Sequence, residues 1–512
     1  MKVYTPENMR YADGYTIQNL GVSGTTLMQR AANALYDAAS PFLGKGNRFV
    51  ILCGKGNNGG DGWALGTMLA HSMEIVTCIS VLGEPSTNDA DFFFRKCISD
   101  TELGFPISII NAGINQDAAI ASVQNATFIV DAIFGTGFCG DIAKDSIAAN
   151  IIDVANNNHC FKLSADIPSG ANAQNGECSA VTFKADLTVT FAKAKIGMLS
   201  YPARNFCGNI TIADIGIPEE IFLQMNSPYE MTDDELVKSL LPKRAMDSNK
   251  GTFGKLLVYA GSRDMTGAAH LALCGALRSG VGLTVFASDE YVTDVMKKRL
   301  SESVFLTLSD SDEDTEKLAE YSKKCSAMLI GCGLGTDSAA KRRTERLIRE
   351  CECPIILDAD GINVLSDNIN IISEAKKGIL LTPHPLEFSR ICGKTLDEIC
   401  NSRMDSAVAF SEKYNCTLLL KGAGTVICDK GKRICINPVA CSSLAKGGSG
   451  DVLAGIIASF AAQGTGLYES AVIGAYLHGR AGEELAKEFS EYGVLPSDIP
   501  CKVANLLAKL SM

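Results

Sequence analysis

Nowhere in the 512 residues is there an uninterrupted apolar run of the roughly 18 residues that a membrane span needs. Residues 1–7 carry neither the apolar core nor the small-residue cleavage site of a secretory signal. The expectation is a cytoplasmic protein with no membrane partner. The chain has 19 cysteines but no Cys-x-x-Cys pair, and the tightest pair, Cys351 and Cys353, has no second pair suited to a metal. An odd count without paired spacing argues against a disulfide framework and against structural zinc. Cys53, Cys78, Cys428 and Cys435 lie in apolar runs, where a reduced thiol acts as a small hydrophobe. Five histidines are too few for a multi-histidine metal centre. Basic residues are outnumbered, 47 to 58, and the resulting charge of −11 speaks against a nucleic-acid partner while leaving room for a local basic pocket. Low-complexity tracts and short repeats are missing as well.

What is present reads as a packed globular chain, with 46% hydrophobic and 21% charged residues. At ~150 residues per domain its length allows two to four domains. Short β-branched runs alternate with amphipathic or Ala-rich stretches, the pattern of parallel sheets with crossover helices and hence of an α/β fold. The first series of expected strands is 49–53, 75–81, 128–131, 161–166, 187–191 and 209–214. The second is 255–260, 283–287, 327–330, 354–358, 378–382 and 417–421, followed by a hairpin of 425–429 and 433–437 around Lys430-Gly431-Lys432. Between the series, residues 217–250 break the rhythm with Pro218, Pro228 and Pro242. One helical piece there begins at Thr232-Asp233-Asp234-Glu235 with the form of a capping box. Two domains are expected, 1–220 and 226–512. Large α/β enzymes often assemble, so a homo-oligomer is expected.

In the first domain, Gly54-Lys55-Gly56-Asn57-Asn58-Gly59-Gly60-Asp61-Gly62 follows a strand and precedes a helix. Backbone N–H groups at a glycine-rich helix start suit phosphate. The run is neither a Walker loop nor the usual dinucleotide fingerprint, because no Gly-Lys-Ser/Thr closes it and the glycine spacing differs. A purely structural turn is the plainer alternative. Side-chain oxygens of Asn57, Asn58 and Asp61 could also hold a hydroxylated ligand or a cation. Two further strand ends, Asp131 to Gly137 and Ser164 to Gly170, would share the same edge of the sheet, the usual binding edge of an open α/β fold.

Together these segments resemble the NAD(P)H-hydrate epimerase family, a Rossmann-like three-layer αβα domain, on the runs Asn57-Asn58-Gly59-Gly60-Asp61 and Asp166-Ile167-Pro168-Ser169-Gly170. The resemblance implies that Asn58, Asp131 and Ser169 hold potassium. It further implies that Asn57 to Asp61, with Gly135, Thr136, Gly137, Phe138, Cys139, Gly140 and Asp141, contact a hydrated nicotinamide nucleotide. Asp166 would be catalytic, at the reacting ring. Lys55 stands where the family usually has Pro.

In the second domain, Lys446-Gly447-Gly448-Ser449-Gly450-Asp451 opens an apolar helix. Its exposed N–H groups form an anion hole for phosphoryl oxygens, and Asp451 in the first turn is a candidate general base. A mere helix cap is the plainer reading of that residue. Lys421-Gly422-Ala423-Gly424-Thr425 offers a cation and a small-residue platform for a nucleotide, and prolines flank His384 in a stiff loop.

The whole is similar to the ribokinase-like αβα fold and, more closely, to the ADP- or ATP-dependent NAD(P)H-hydrate dehydratase family. The shared runs include Gly333-Leu334-Gly335, Leu357-Asp358-Ala359-Asp360, Thr382-Pro383-His384-Pro385 and Gly447 to Asp451. The resemblance implies that Gly335, His384 and Asp451 face the hydrate. Lys421 to Thr425 with Gly447, Gly448, Ser449 and Gly450 would hold ADP or ATP with magnesium. Cys332 and Leu386 stand where the family has Pro and Gly, and Lys446 adds a positive charge beside the anion hole.

The implied activity is repair of damaged nicotinamide cofactor: epimerisation of R and S NAD(P)H hydrates, then nucleotide-driven dehydration of the S form. The alternative is a ribokinase-like small-molecule kinase fused to a non-catalytic nucleotide-binding or scaffold domain.

Overall fold

The computed structural model describes residues 1–511, so Met512, the last residue of the second expected domain, lies outside the described residues. The chain separates into two compact units, Lys2–Ser227 and a second made of Met1 and the chain from Pro228 onward.

The first unit is built on strands β1 (Arg48–Cys53), β2 (Ile75–Ser80), β3 (Ile107–Asn111), β4 (Phe128–Ala132), β5 (Phe161–Ala165), β6 (Leu187–Phe191) and β7 (Asn209–Ala213). They form one all-parallel sheet ordered β3-β2-β1-β4-β5-β6-β7. β1 and β4 are apolar almost throughout because helices cover both faces of the sheet. Strand order reverses between β1 and β4, whose carboxyl ends lie side by side, with Cys53 opposite Ala132. Chains diverge above such a reversal and leave a crevice. β3 is absent from the expected strands. It is a half-open edge strand whose Ser108 and Asn111 interrupt the apolar run.

The second unit contains β8 (Tyr229–Met231), β9 (Lys255–Tyr259), β10 (Leu283–Asp289), β11 (Ser303–Leu308), β12 (Ala327–Ile330), β13 (Ile355–Leu357), β14 (Ile379–Leu381), β15 (Thr417–Leu420), β16 (Thr425–Asp429) and β17 (Arg433–Asn437). Their order is β11-β10-β9-β12-β13-β14-β15-β16-β17-β8. The sheet is parallel from β11 to β15 and turns antiparallel through β16 and β17. Lys430 and Gly431 both take positive φ, 52° and 68°, in the three-residue loop 430–432 that joins β16 to β17. Here the order reverses between β9 and β12.

β11 and β8 are further additions to the expected strands, and both are edge strands that stay largely unburied. The helix in the connecting stretch is Asp234–Leu240, capped by Asp233 through Leu236 N at 2.8 Å. Thr232 does not take the capping position expected of it; its hydroxyl donates to Asn437 Oδ1 at 2.9 Å instead.

Candidate active sites

Above the β1/β4 reversal the first unit has a cavity of about 1170 Å³. Helix Asn57–His71 starts at its floor because Gly56 takes an extended conformation and releases the chain from β1. Asn57, Asn58 and Asp61 line the cavity, as do Gly135, Thr136, Gly137, Phe138, Cys139, Asp141 and Asp166. Gly59, Gly60 and Gly140 are not part of the lining. A Cβ at Gly59 would lie 1.9 Å from the Gly54 carbonyl oxygen, and one at Gly60 would meet Met28 at 2.5 Å. Those two glycines therefore let the helix seat itself against its neighbours, and the Gly60 N–H is already bonded to Gly56 O.

Asp131 lies beneath the cavity, fully buried. Its carboxylate accepts Ser169 N at 2.7 Å, Ser169 Oγ at 2.5 Å, Ser164 Oγ at 3.3 Å and Ile133 N at 3.3 Å. Burial pushes the carboxyl up to about 6 against the pull of those donors. Asn58, whose side chain lies against Gly135, has a buried Nδ2 without a hydrogen-bond partner. Asp166 takes a left-handed backbone (φ +66°) at the end of β5. Its Oδ1 accepts the Lys195 ammonium, Thr190 Oγ1 at 3.1 Å and Phe191 N at 3.2 Å. Lys195 is almost completely buried, and its ammonium also donates to Thr190 Oγ1 and Phe191 O, each at 2.9 Å. Lys195 is not among the expected site residues, although it stands just beyond an apolar strand at the binding edge, a usable signal.

In the second unit, helix Ser449–Ala462 packs on β9, β12 and β13 with its amino end at their carboxyl ends. Gly448 (φ +99°) makes the turn into it. Cys332 Sγ, an Asp358 oxygen and an Asp451 oxygen lie within 4.8 Å of one another. Asp358 Oδ1 accepts Thr382 Oγ1 at 2.7 Å and the Lys421 ammonium. Lys421 also reaches the anion hole, since a Cβ at Gly450 would lie 3.1 Å from its Nζ. The cation expected to serve the nucleotide platform is thus buried at the carboxylates, where burial works against its charge but Asp358 and Glu387 prevail and raise its pKa. Burial, and next the Asp358 carboxylate, push Asp451 up to about 6, with Lys421 opposing. A carboxylate of that basicity is ionised at neutral pH and still able to accept a proton. Burial and the two carboxylates push the Cys332 thiol well up, so it stays protonated and donates to Asp358 Oδ2 at 3.7 Å.

The surrounding loops are fixed by hydrogen bonds. Arg403 bonds the carbonyls of Leu420, Lys421 and Ala423, and Thr425 Oγ1 donates to Gly422 O at 2.9 Å. Gly335 N donates to Asp360 Oδ2 at 2.9 Å. His384 caps helix Pro385–Cys392, with Nδ1 accepting Leu386 N at 3.1 Å and Glu387 N at 3.3 Å.

Lys446 does not add its charge to the anion hole as expected. Its ammonium donates to the carbonyls of Tyr492 and Val494, at the end of helix Leu467–Gly493. Those carbonyls have no further helical turn to bond, so the cation satisfies them. A residue unmarked in the sequence, His478, lies under the turn, with Nε2 at 3.0 Å from both Ser449 Oγ and Ser449 O. Burial lowers its imidazole to about 4, so it is neutral there and holds the first residue of the helix.

A family model described as NAD(P)H-hydrate dehydratase matches residues 256–505, and one described as YjeF-related protein N-terminus matches 24–197. A bifunctional NAD(P)H-hydrate repair enzyme of Moorella thermoacetica is 32% identical over 508 residues, covering 98% of this chain and 95% of that one. One from Dictyoglomus turgidum is 31% identical, covering 98% and 97%. Among solved structures, the ADP/ATP-dependent NAD(P)H-hydrate dehydratase of Bacillus subtilis, co-crystallised with ATP/Mg2+, is 30% identical. It covers 55% of this chain and 98% of its own, with a TM-score of 0.50. A ribokinase-like protein of Enterococcus faecalis gives 26% and 0.50. Full-length relatives carrying both halves leave no place for a kinase joined to an unrelated scaffold. The chain belongs to the bifunctional NAD(P)H-hydrate repair enzyme family.

Proposed function

We propose that residues 1–220 interconvert the R and S epimers of hydrated NADH or NADPH, and that residues 226–512 dehydrate the S epimer with ADP or ATP. The observation that carries this is Asp451, a half-buried carboxylate near pKa 6 at a glycine-rich helix start with the Lys421 ammonium at its side.

Hydroxide is a poor leaving group from a ring carbon, whereas phosphate leaves readily. Asp451 takes the hydroxyl proton, and the freed oxygen attacks the terminal phosphoryl group of the nucleotide. The bond to the next phosphate breaks and AMP or ADP departs. Backbone N–H groups from Gly447 to Gly450 and the Lys421 ammonium stabilise the charge of the transferring group. Loss of phosphate and of a proton from the neighbouring ring carbon restores the double bond conjugated with the ring nitrogen. Asp358 and Asp360 lie close enough to act on the charge of Asp451, and carboxylates of that kind fit a hard divalent ion. Magnesium bound there with the nucleotide would neutralise phosphate charge.

In the first unit the set of Asn58, Asp131 and Ser169 fits potassium. Asp131 is buried with only neutral donors around it, and Asn58 and Ser169 would add neutral oxygens as ligands. An oxygen-rich, singly charged pocket suits a large monovalent cation better than a transition metal.

The test is to mix the purified chain with an R/S mixture of hydrated NADH, adding ADP, ATP or neither, and to follow recovery of dihydronicotinamide absorbance. Complete nucleotide-dependent recovery is expected. A phosphorylated alcohol as the end product, with no absorbance regained, would contradict the proposal.

A further inference from the structure

Among the charged groups that line the cavity of the first unit, Asp13, Asp61, Asp166 and Lys195 act on one another's charge. Asp13 comes from helix Pro6–Leu20, which lies outside the matched stretch 24–197. The ammonium is already committed, since Lys195 donates to Asp166 Oδ1, Thr190 Oγ1 and Phe191 O. Among the described residues no donor reaches the carboxylate of Asp13 or Asp61. With no donor of their own, Asp13 and Asp61 each meet the charge of the neighbouring carboxylates in a partly desolvated site, which favours their protonated forms.

We infer that Asp13 is a catalytic acid–base residue of the first site, exchanging the hydroxyl proton of the hydrate while Asp166 is held in place by the Lys195 ammonium. This rests on the epimerase reading above. In a hydrated dihydronicotinamide the hydroxyl sits on the ring carbon bonded to nitrogen. Asp13 removes the O–H proton and the carbon–oxygen double bond forms. The carbon–nitrogen bond then breaks, its electron pair passing to nitrogen, where a proton from Asp61 meets it. The open aldehyde rotates and presents its other face. Nitrogen attacks, its proton returns to Asp61, and Asp13 returns its own proton to oxygen. Every proton and electron pair is restored, and only the configuration has changed.

The electrostatics agree with this division. Burial, then the Asp166 charge, with Lys195 opposing, pushes Asp13 up to about 6, a value that allows proton exchange near neutrality. Burial, Asp166 and Asp13 push Asp61 well above the ordinary carboxylate range, in the direction that favours the protonated form from which it donates. The other charged groups lining the cavity are Arg10, Lys55, Asp89 and Asp141.

The test uses the full chain and the isolated R epimer, with chromatographic separation of the epimers and subtraction of the enzyme-free rate. Asp13→Asn is expected to lower epimerisation kcat by at least about 100-fold, to change KM by less than about threefold, and to leave dehydration of the S epimer untouched. The wild-type rate should fall as pH drops below about 6, and the residual rate of Asp13→Asn should lack that limb. Asp13→Glu, which keeps the acid, should recover at least about tenfold over Asp13→Asn. An Asp13→Asn kcat within threefold of wild type overturns the inference, and so does an acid limb unchanged in that variant. Should Asp13→Asn unfold the first unit, Asp13→Glu decides, because an acid limb left unmoved in it overturns the inference. A wild-type chain that fails to epimerise would instead overturn the epimerase reading itself.

Discussion

Asp451 is expected to make the second unit less stable than it could be, and the size of that penalty follows from its surroundings. Its carboxyl rises from an ordinary 3.8 to about 6, chiefly by burial and then by the Asp358 charge. At 1.36 kcal/mol per pKa unit, ionising it in the folded chain is harder than in the unfolded chain by about 3 kcal/mol. Because the folded value is the higher one, the penalty is absent where both states are protonated, below about pH 3.8. It grows between 3.8 and 6 and is complete above 6. Asp451→Asn keeps the shape and removes the charge. At pH 8 the variant should be more stable by about 3 kcal/mol, which at roughly 2–4 °C per kcal/mol raises the melting transition by about 6–12 °C. At pH 4.5 the same linkage leaves a gain of only about 1 kcal/mol. Calorimetric melts of both proteins at the two pH values decide the matter. An equal shift at both, or a lower melting point at pH 8, would refute the reasoning.

Other expectations follow from single contacts. Lys446→Met should lower stability by about 1 kcal/mol while leaving the KM for nucleotide within twofold, because the ammonium serves the Tyr492 and Val494 carbonyls; a several-fold rise in KM contradicts this. Gly59→Ala should destabilise the first unit by about 1–3 kcal/mol, read in denaturant titration, since its Cβ would lie 1.9 Å from a backbone oxygen; an unchanged midpoint would sink that account. Asp131→Asn removes the buried charge that suits a monovalent cation, so epimerisation by the variant should lose any dependence on potassium in a titration against a bulky ammonium salt. A potassium response equal to wild type would exclude Asp131 as a ligand.

The parts of the fold legible in the sequence are those where burial imposes a pattern. β1, β4, β9 and β12 are apolar because helices cover both faces, and each ends in the glycines and aspartates of a binding edge. β3, β8 and β11 escaped as edge strands that bury little, β3 and β8 with polar residues interrupting the apolar pattern and β11 despite its Val304-Phe305-Leu306 run. At the sites, Asp166, Asp358 and Asp451 were visible as carboxylates at strand ends or helix starts. Asp13 and His478 were not, since each lies on a helix whose local sequence reports only that helix, and tertiary packing alone brings them in; Lys195 left a weaker trace, a lysine just beyond an apolar strand. Lys446 shows the opposite failure, for adjacency in sequence to the anion hole suggested a charge that the side chain delivers elsewhere.

The most direct test of the central claim is turnover of the S hydrate by the full chain carrying Asp451→Asn, with ADP or ATP and magnesium, alongside epimerisation of the R form. Loss of the general base should lower dehydration by about 10²–10⁴ and leave epimerisation at the wild-type rate. Dehydration within a few-fold of wild type would contradict the assignment of Asp451 as the base.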